Sequence, residues 1–147
     1  MKTHVLKQES KYFEQQESKE KEFEVRKNDR DYQVGDILEL KRYHSKLSYL
    51  RAVEIICTDE VTLEPVKGKI LKLREEDEAD TIRVRVTWIL NQFENTNKWK
   101  AALKYLMDAS NEKADDTAEK ISEVLEQYFH TNHLPDDYVV LGTEVVK

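Results

Sequence analysis

Alternating apolar and polar residues predict strands along much of the chain. The clearest run covers residues 81–90, where every second position is apolar and should face the core: Ile82, Val84, Val86, Trp88 and Leu90. Arg83 and Arg85 alternate with them and should face outward or into a groove. Weaker patterns predict further strands at 4–7, 21–27, 36–43, 49–57 and 138–146.

Three other stretches of the middle region carry weaker signals. Residues 44–50 are polar and are predicted to be a loop. Residues 58–64 and 67–73 are predicted to form a hairpin about Pro65 and Gly68, because proline and glycine are turn residues. The acidic run at 75–80 is predicted to be a solvated loop, with a metal cage of carboxylates as the alternative.

Three stretches have the composition and spacing of helices. Residues 8–20 contain good helix formers and no glycine or proline. Residues 97–108 and 111–130 carry apolar residues at spacings of three and four, and Ser110 or Asn111 can cap the second of them. Their apolar stripes are expected to be core or docking surface, with a partner-binding face as the alternative.

The order of elements is a strand, a helix, several strands, two helices and a last strand. This order predicts an α+β fold built on a small, strongly bent or barrel-like sheet. A length of 147 residues is consistent with a single domain over 1–147, in which the helices form an insertion at about 91–134.

One stretch organises the chain: a strand that begins at Lys21, a polar turn, and a tight turn at Gly35 that leads into the next strand. It resembles the ASCH domains of the PUA-like superfamily, in particular an uncharacterised bacterial and phage branch. The residues that carry the resemblance are Phe23 to Arg30, Tyr32 to Leu38, and more weakly His4 to Lys7, Val86 to Leu90 and Tyr138 to Gly142. The resemblance implies a small bent β-barrel with flanking helices, and a site beside strand 21–30.

Charge is unevenly distributed along the chain. The net charge is −6, yet residues 1–43 hold ten basic and ten acidic side chains, so the excess lies in the remainder. Because nucleic-acid affinity comes largely from lysine and arginine, such a chain needs a local patch to bind RNA. There is no apolar run of membrane-spanning length and no signal-peptide core, and the one cysteine, Cys57, is expected to be a buried hydrophobe in a cytoplasmic protein.

Basic and amide side chains cluster on the organising strand and its turn. The candidate ligand-binding residues are Lys21, Glu24, Arg26, Lys27, Asn28, Arg30 and Tyr32, with Asp29 beside them. Arg26 offers a planar fork of donors for phosphate or a base edge, and Tyr32 offers a stacking face. The alternative is structural, in which Glu24 pairs with Arg26, and Asn28 bonds to the turn backbone.

An enzymatic alternative follows from the resemblance alone. Some ASCH proteins look like amidohydrolases that remove an acyl group from cytidine, using a lysine and a threonine three residues later. Lys21 matches the lysine, but Glu24 stands at the threonine position and has no hydroxyl nucleophile. If the chain is an enzyme, Lys21 and Glu24 are the catalytic candidates, with Glu24 as a base on water.

The pattern favours a binding module over an enzyme. The leading hypothesis is an RNA- or nucleotide-binding module that uses the cleft beside strand 21–30. The alternatives are the amidohydrolase and a protein-interaction module that uses the helical insertion. No cofactor is expected, since the glycines are isolated, and no metal, since His130 and His133 have no third ligand at a known spacing. No membrane partner is expected.

Overall fold

The structure is a computed structural model and describes residues 1–146. This part of the chain forms seven strands, three α-helices and a short 3-10 helix at Glu76–Glu78. In chain order the elements are β1 (Thr3–Glu9), α1 (Ser10–Glu17), β2 (Phe23–Lys27), β3 (Ile37–His44), β4 (Ser48–Thr58), β5 (Pro65–Leu73), β6 (Thr81–Leu90), α2 (Asn97–Met107), α3 (Asn111–Phe129) and β7 (Tyr138–Val145). The predicted α+β class is confirmed.

The strands form one mostly antiparallel sheet in the order β2-β7-β6-β3-β4-β5. β1 pairs in parallel with β3, from Thr3–Ile37 to Glu9–Tyr43. The last strand of the chain therefore lies inside the sheet, between β2 and β6. Within residues 1–146 no backbone ladder joins the two ends of this order, so the sheet is open and not a closed barrel.

The core consists of two apolar clusters, and β6 contributes to both. The alternation predicted for this strand is confirmed, since its five inward positions are buried. Val84 and Val86 belong to a cluster with β1 and β3, whereas Trp88 and Leu90 belong to a cluster with α2 and α3. β6 passes from one cluster to the other at a register shift between Val86 and Trp88, which changes the direction of the strand.

The two helices of the insertion pack on the sheet and do not stand apart from it. The apolar stripe of α3 is buried in the cluster that contains Trp88, and its buried members are Ala114, Ala118, Ile121, Val124 and Leu125. Ser110 caps α3, because its hydroxyl accepts from the Lys113 amide. None of the helices in the described part of the chain is long and apolar enough to cross a membrane.

At Gly142 of β7 the backbone of the sheet packs closely against a side chain. A Cβ atom at this position would overlap the indole ring of Trp88. The ring therefore packs directly on the backbone of β7, which only glycine permits. Gly35 has a different reason to be glycine: its φ of +98° in the turn before β3 confirms the predicted tight turn.

The loop and hairpin predicted at 44–73 are wrong in position. β3 runs to His44 and β4 begins at Ser48, so the polar stretch is a tight hairpin turn. β4 continues to Thr58, and Pro65 starts β5 instead of forming the turn. Pro65 is tolerated there because β5 lies at the edge of the sheet. The actual turn is 59–64, where the Asp59 carboxylate accepts from two backbone amides.

The prediction that Cys57 is buried is also wrong. The thiol is exposed, because the outer halves of β4 and β5 have no second layer against them. The acidic run at 75–80 is a short exposed helical turn followed by the half-buried Asp80. Asp80 holds Arg42 through a contact of 3.1 Å between Nε and Oδ2.

Candidate functional site

A cleft of about 410 Å³ opens between β1, α1, β2 and α3. Its walls combine three kinds of side chain: charged groups, aromatic rings and small apolar groups. The lining residues are Lys7, Gln8, Glu9, Tyr12, Lys21, Glu24, Val25, Arg26, Val124, Tyr128, Phe129 and Tyr138. Three of the predicted site residues, Lys21, Glu24 and Arg26, are thus brought together in one concave site.

These three residues form an ionic triad, in which Lys21 and Glu24 are buried and Arg26 is half-buried. The Lys21 ammonium donates to Glu24 Oε1 at 2.8 Å, and Arg26 Nε donates to Glu24 Oε2 at 3.1 Å. Lys21 is 4% exposed and Glu24 2% exposed. The other end of the Arg26 guanidinium donates to the Lys7 carbonyl at 2.8 Å and to Gln8 Oε1 at 2.7 Å. The predicted pairing of Glu24 with Arg26 is confirmed.

Local chain geometry explains why Lys21 meets Glu24. The alternating pattern predicted a strand from residue 21, with these two side chains on opposite faces. The strand instead begins at Phe23. Lys19 has a φ of 65°, and the Lys21 amide donates to the Gln15 carbonyl, so the chain is still turning out of α1 at this point. Lys21 is therefore free of the strand's alternation and reaches back to the carboxylate.

Burial and charge act against each other in the triad. Burial alone would raise the pKa of Glu24, but the combined charges and hydrogen bonds of Lys21 and Arg26 outweigh it and lower that pKa. Burial lowers the pKa of the Lys21 amine, and the charge of Glu24 opposes this only in part. Glu24 is thus held as a carboxylate, next to an amine whose proton is less firmly held than in water.

Aromatic rings form the other wall of the cleft. The Lys21 ammonium lies 5.2 Å from the Tyr12 ring centroid and 4.9 Å from that of Phe23, within range of cation–π attraction. Tyr12 and Tyr128 approach with centroids 6.0 Å apart, and Phe129 and Tyr138 with centroids 4.7 Å apart. Burial raises the pKa of Tyr128, so its hydroxyl stays protonated at neutral pH.

A hydrogen bond between helices fixes Tyr12. Its hydroxyl donates to Gln127 Oε1 of α3 at 2.6 Å. Nearby, the Lys120 ammonium of α3 donates to the Glu20 carbonyl at 2.7 Å. These two contacts hold α3 over the segment that leads into β2, so the helical insertion supplies one wall of the cleft.

The remaining predicted residues lie outside the cleft. Lys27 is the exposed last residue of β2, and Asn28, Asp29 and Arg30 are exposed beyond it. The backbone N–H of Asn28 donates to the Asp137 carbonyl, and the Arg30 side chain donates to the Val5 carbonyl at 3.3 Å.

Tyr32 does not present the predicted stacking face. It is 6% exposed and lies in the second apolar cluster, with its ring centroid 4.9 Å from that of His4. Its burial follows from the turn that carries it under β1.

The ring-bearing residues of the cleft were not predicted as a site. Tyr12 lies in the helix predicted at 8–20, and Tyr128 lies in the helix predicted at 111–130. The structure sets Tyr128 apart from the core residues of α3, because it is 50% exposed, whereas Ile121 and Leu125 are fully buried. Elsewhere in residues 1–146, no group of three or more His, Cys, Asp and Glu side chains is placed to hold a metal ion.

Comparison with known proteins yields a family but no function. None of the curated proteins matches the chain. Residues 3–103 match the family described as a domain of unknown function (DUF3850). The matched segment runs from β1 into α2 and includes Lys21, Glu24 and Arg26, whereas Tyr128 and Tyr138 lie beyond it. Since the match covers about two thirds of the chain, this protein belongs to the DUF3850 family.

Proposed function

We propose that this protein is a binding module for a nucleotide-like ligand, whose base enters the cleft beside β2. The observation that carries the proposal is the convergence of the ionic triad and several aromatic rings on one cleft of about 410 Å³. Small-ligand sites commonly have volumes of ~300–1,000 Å³ and combine apolar walls with a few polar groups. We also propose that the architecture is PUA-like, of the ASCH kind. Its support is the resemblance of residues 23–38 and a cleft beside that strand.

The triad has capacity left for a ligand. Glu24 Oε1 accepts from Lys21, and a carboxylate oxygen has a second lone pair to offer. Arg26 adds a delocalised fork of donors at the same wall. A nucleobase edge carries donors and acceptors side by side, so it can engage the carboxylate and the cations together. The ionic groups also cost desolvation energy, which a structural role alone does not explain well.

Aromatic rings suit the flat face of a base. Tyr12, Tyr128 and Tyr138 all line the cleft, and stacking of a base on an aromatic ring is worth ~1–3 kcal/mol. Lys7 is exposed beside the cleft and supplies a charge for a phosphate. The cleft favours a single nucleotide over a long strand, because the chain has a net charge of −6 and nucleic-acid backbones bind through many cations.

The test is a calorimetric titration of the protein with the four ribonucleoside 5′-monophosphates and their nucleosides, at low and moderate salt. Tyr128→Ala should weaken binding by ~5-fold or more, since it removes a stacking wall. Tyr105→Ala is the matched control, because Tyr105 is 86% exposed on α2 and outside the cleft lining. Failure of every ligand to bind at millimolar concentration would refute the proposal, as would equal effects of the two variants.

Short single-stranded RNA distinguishes a nucleotide site from an RNA surface. In an NMR titration, shifts confined to the cleft residues and reproduced by one mononucleotide support the proposal. Strongly salt-dependent shifts at exposed Lys27, Asn28 and Arg30, without mononucleotide binding, favour the RNA-binding reading instead.

A second candidate is an amidohydrolase on an acylated cytidine. The observation that favours it is the 2.8 Å contact between the Glu24 carboxylate and the Lys21 ammonium. Burial lowers the pKa of Lys21. Such a pair can hold a water and polarise a carbonyl. The candidate predicts acid release from acylated cytidine that is lost in Lys21→Ala, and turnover no faster than buffer would exclude it.

A further inference from the structure

The ionic triad keeps hydrogen-bonding capacity that its internal contacts do not use. Lys21, Glu24 and Arg26 all line the cleft. An ammonium has three N–H groups, and within residues 1–146 the Lys21 ammonium donates one of them, to Glu24. Each oxygen of Glu24 accepts from one cation, which leaves a lone pair on each. In the same part of the chain Nη1 of Arg26 makes no hydrogen bond, since Nε and Nη2 make the contacts of this side chain.

The polar groups of the triad stand in the order donor, acceptor, donor. Oε1 of Glu24 contacts Lys21 at 2.8 Å and Oε2 contacts Arg26 at 3.1 Å, so the carboxylate lies between the two cations. Burial opposes ionisation of Glu24, but the charges and hydrogen bonds of Lys21 and Arg26 outweigh it and hold the pKa of Glu24 below its usual range. Glu24 is therefore an acceptor at neutral pH. Lys21 can donate in either protonation state, because a neutral amine also carries N–H groups.

Gln8 adds a donor beside Arg26. It is 3% exposed and lines the cleft, and its Oε1 accepts from Arg26 at 2.7 Å. This contact determines which end of the amide is the oxygen, because a guanidinium only donates. Within residues 1–146 Nε2 of Gln8 donates to no acceptor. The Arg26 side of the carboxylate therefore offers two donors to a ligand, Nη1 of Arg26 and Nε2 of Gln8.

We propose that the base bound in the cleft is uracil, recognised through its Watson–Crick edge. This inference rests on the proposed nucleotide-binding function. The uracil edge carries an acceptor, a donor and an acceptor in a row, namely O4, N3–H and O2. N3–H donates to the Glu24 carboxylate. One carbonyl accepts from Lys21, and the other accepts from Nη1 of Arg26 or Nε2 of Gln8.

The other bases match this order less well. In the position of uracil, cytosine places its amino group against a cation and the N3 lone pair against the carboxylate. Adenine has no ring N–H and no carbonyl at this edge. Guanine fits second best, because its O6 suits one cation and its N1–H suits the carboxylate, but its amino group then lies against the second cation. Uracil is thus the base that satisfies all three groups of the triad.

The test compares ligands by calorimetry on the full wild-type chain. Uridine 5′-monophosphate (UMP) is compared with its 3-methyl derivative, in which a methyl group replaces the N3 proton. The carboxylate then lacks its donor, so the affinity should fall by ~10-fold or more. The 5-methyl derivative is the matched control, because its methyl group leaves the edge intact, and it should bind within ~3-fold of UMP. UMP should bind at least ~5-fold more tightly than the cytidine, guanosine and adenosine monophosphates.

The outcomes separate this inference from the proposed function. Affinity for another base that equals or exceeds the affinity for UMP overturns the uracil assignment and leaves nucleotide binding standing. Equal affinities for UMP and its 3-methyl derivative do the same. If none of the nucleotides binds at millimolar concentration, the proposed function fails and this inference fails with it.

A substitution at the middle of the pattern tests the role of the carboxylate. Glu24→Gln replaces one carboxylate oxygen by an NH₂ group, so the preference for UMP over its 3-methyl derivative should shrink to within ~3-fold. Glu22→Gln is the matched control, because it makes the same change at an exposed residue, and it should keep the preference. A preference that survives Glu24→Gln overturns the role of Glu24. Circular dichroism verifies the fold of both variants, and the ligand series on the wild-type chain decides the assignment even if Glu24→Gln does not fold.

Discussion

Lysines on two strands of this protein lie in opposite surroundings. Lys21, which leads into β2, is 4% exposed and bonded to a buried carboxylate, whereas Lys67, Lys69 and Lys72 of β5 are all exposed. The cleft buries charged side chains and surrounds them with aromatic rings, whereas the β4–β5 hairpin (residues 48–73, called the arm) leaves apolar side chains exposed to solvent. Each arrangement costs folding free energy unless something compensates. In the cleft, hydrogen bonds and cation–π contacts within the chain offset part of that cost, whereas the outer half of the arm has no covering layer in the described part of the chain.

The largest expected difference concerns the carboxylate that holds the triad together. Glu24→Ala leaves two cations without their shared partner, so it should lower the free energy of unfolding by about 3–5 kcal/mol. Glu22→Ala, two residues away and exposed, should change it by less than ~0.5 kcal/mol. Urea unfolding followed by circular dichroism measures both. Similar losses in the two variants would mean that the triad is solvated in the free protein.

A pair of glycine substitutions compares the packing of body and arm directly. Gly142→Ala drives a methyl group into the Trp88 ring and should cost about 3 kcal/mol. Gly68→Ala on β5 meets only Ile55 Cγ1, at an ordinary 3.7 Å, and should change stability by less than ~0.5 kcal/mol. Thermal unfolding of both variants is the measurement. A tolerated Gly142→Ala would show that β7 can move away from the indole.

Low pH should reduce the stability of the body by a smaller amount than these substitutions do, through protonation of Asp36. Burial pushes the pKa of Asp36 upward, but hydrogen bonds from His4 and from the Lys2 and Gln33 amides outweigh it and lower the pKa from 3.8 to about 2. Because the folded pKa lies below the unfolded one, the contribution is complete above pH ~4 and is lost as the pH falls toward 2. The contribution of Asp36 to the free energy of unfolding amounts to at most ~2.5 kcal/mol.

Substitution of Asp36 checks this assignment. Asp36→Asn should flatten the loss of stability between pH 4 and pH 2, measured as the shift of the urea midpoint. Glu64→Gln on the tip of the arm removes an exposed carboxylate and should leave that shift unchanged. An unaltered acid response in Asp36→Asn would assign the acid sensitivity to other carboxylates.

Shortening the arm should have the smallest effect on the body. Ala52 lies directly opposite Leu71, so residues 53–70 can be replaced by Asn-Gly in a two-residue hairpin turn. The shortened chain should keep nucleotide binding and change the free energy of unfolding by no more than ~1 kcal/mol at low protein concentration. Loss of cooperative unfolding would mean that the arm belongs to the body's core.

Alternation was sufficient to predict β6, and the helix pattern was sufficient to predict α2 and α3. β6 and α3 each bury one face against the rest of the chain, whereas Leu103 is the only buried residue of α2. The same alternation did not reveal that β4 and β5 lack a covering layer, since a strand pattern records which residues share a face and not what lies against it. Cys57 was misplaced for this reason.

The site was predictable only where its residues are close in sequence. Lys21, Glu24 and Arg26 stand within six positions, and their clustering was visible before the fold was known. Tyr12 and Tyr128 meet through the packing of α1 against α3, and nothing local to either residue indicates that contact. The contact between Lys21 and Glu24 depends on where β2 begins, which alternation placed two residues too early.

The position of β7 has a consequence for how the protein is made. β2 forms its ladder with β7, so Glu24 lies opposite Leu141, a residue far from it along the chain. A nascent chain that lacks residues 138–145 has no inner strand to join β2 to β6, and contacts between such distant segments form slowly. The cleft wall that contains Glu24 can therefore assemble only after β7 has been synthesised.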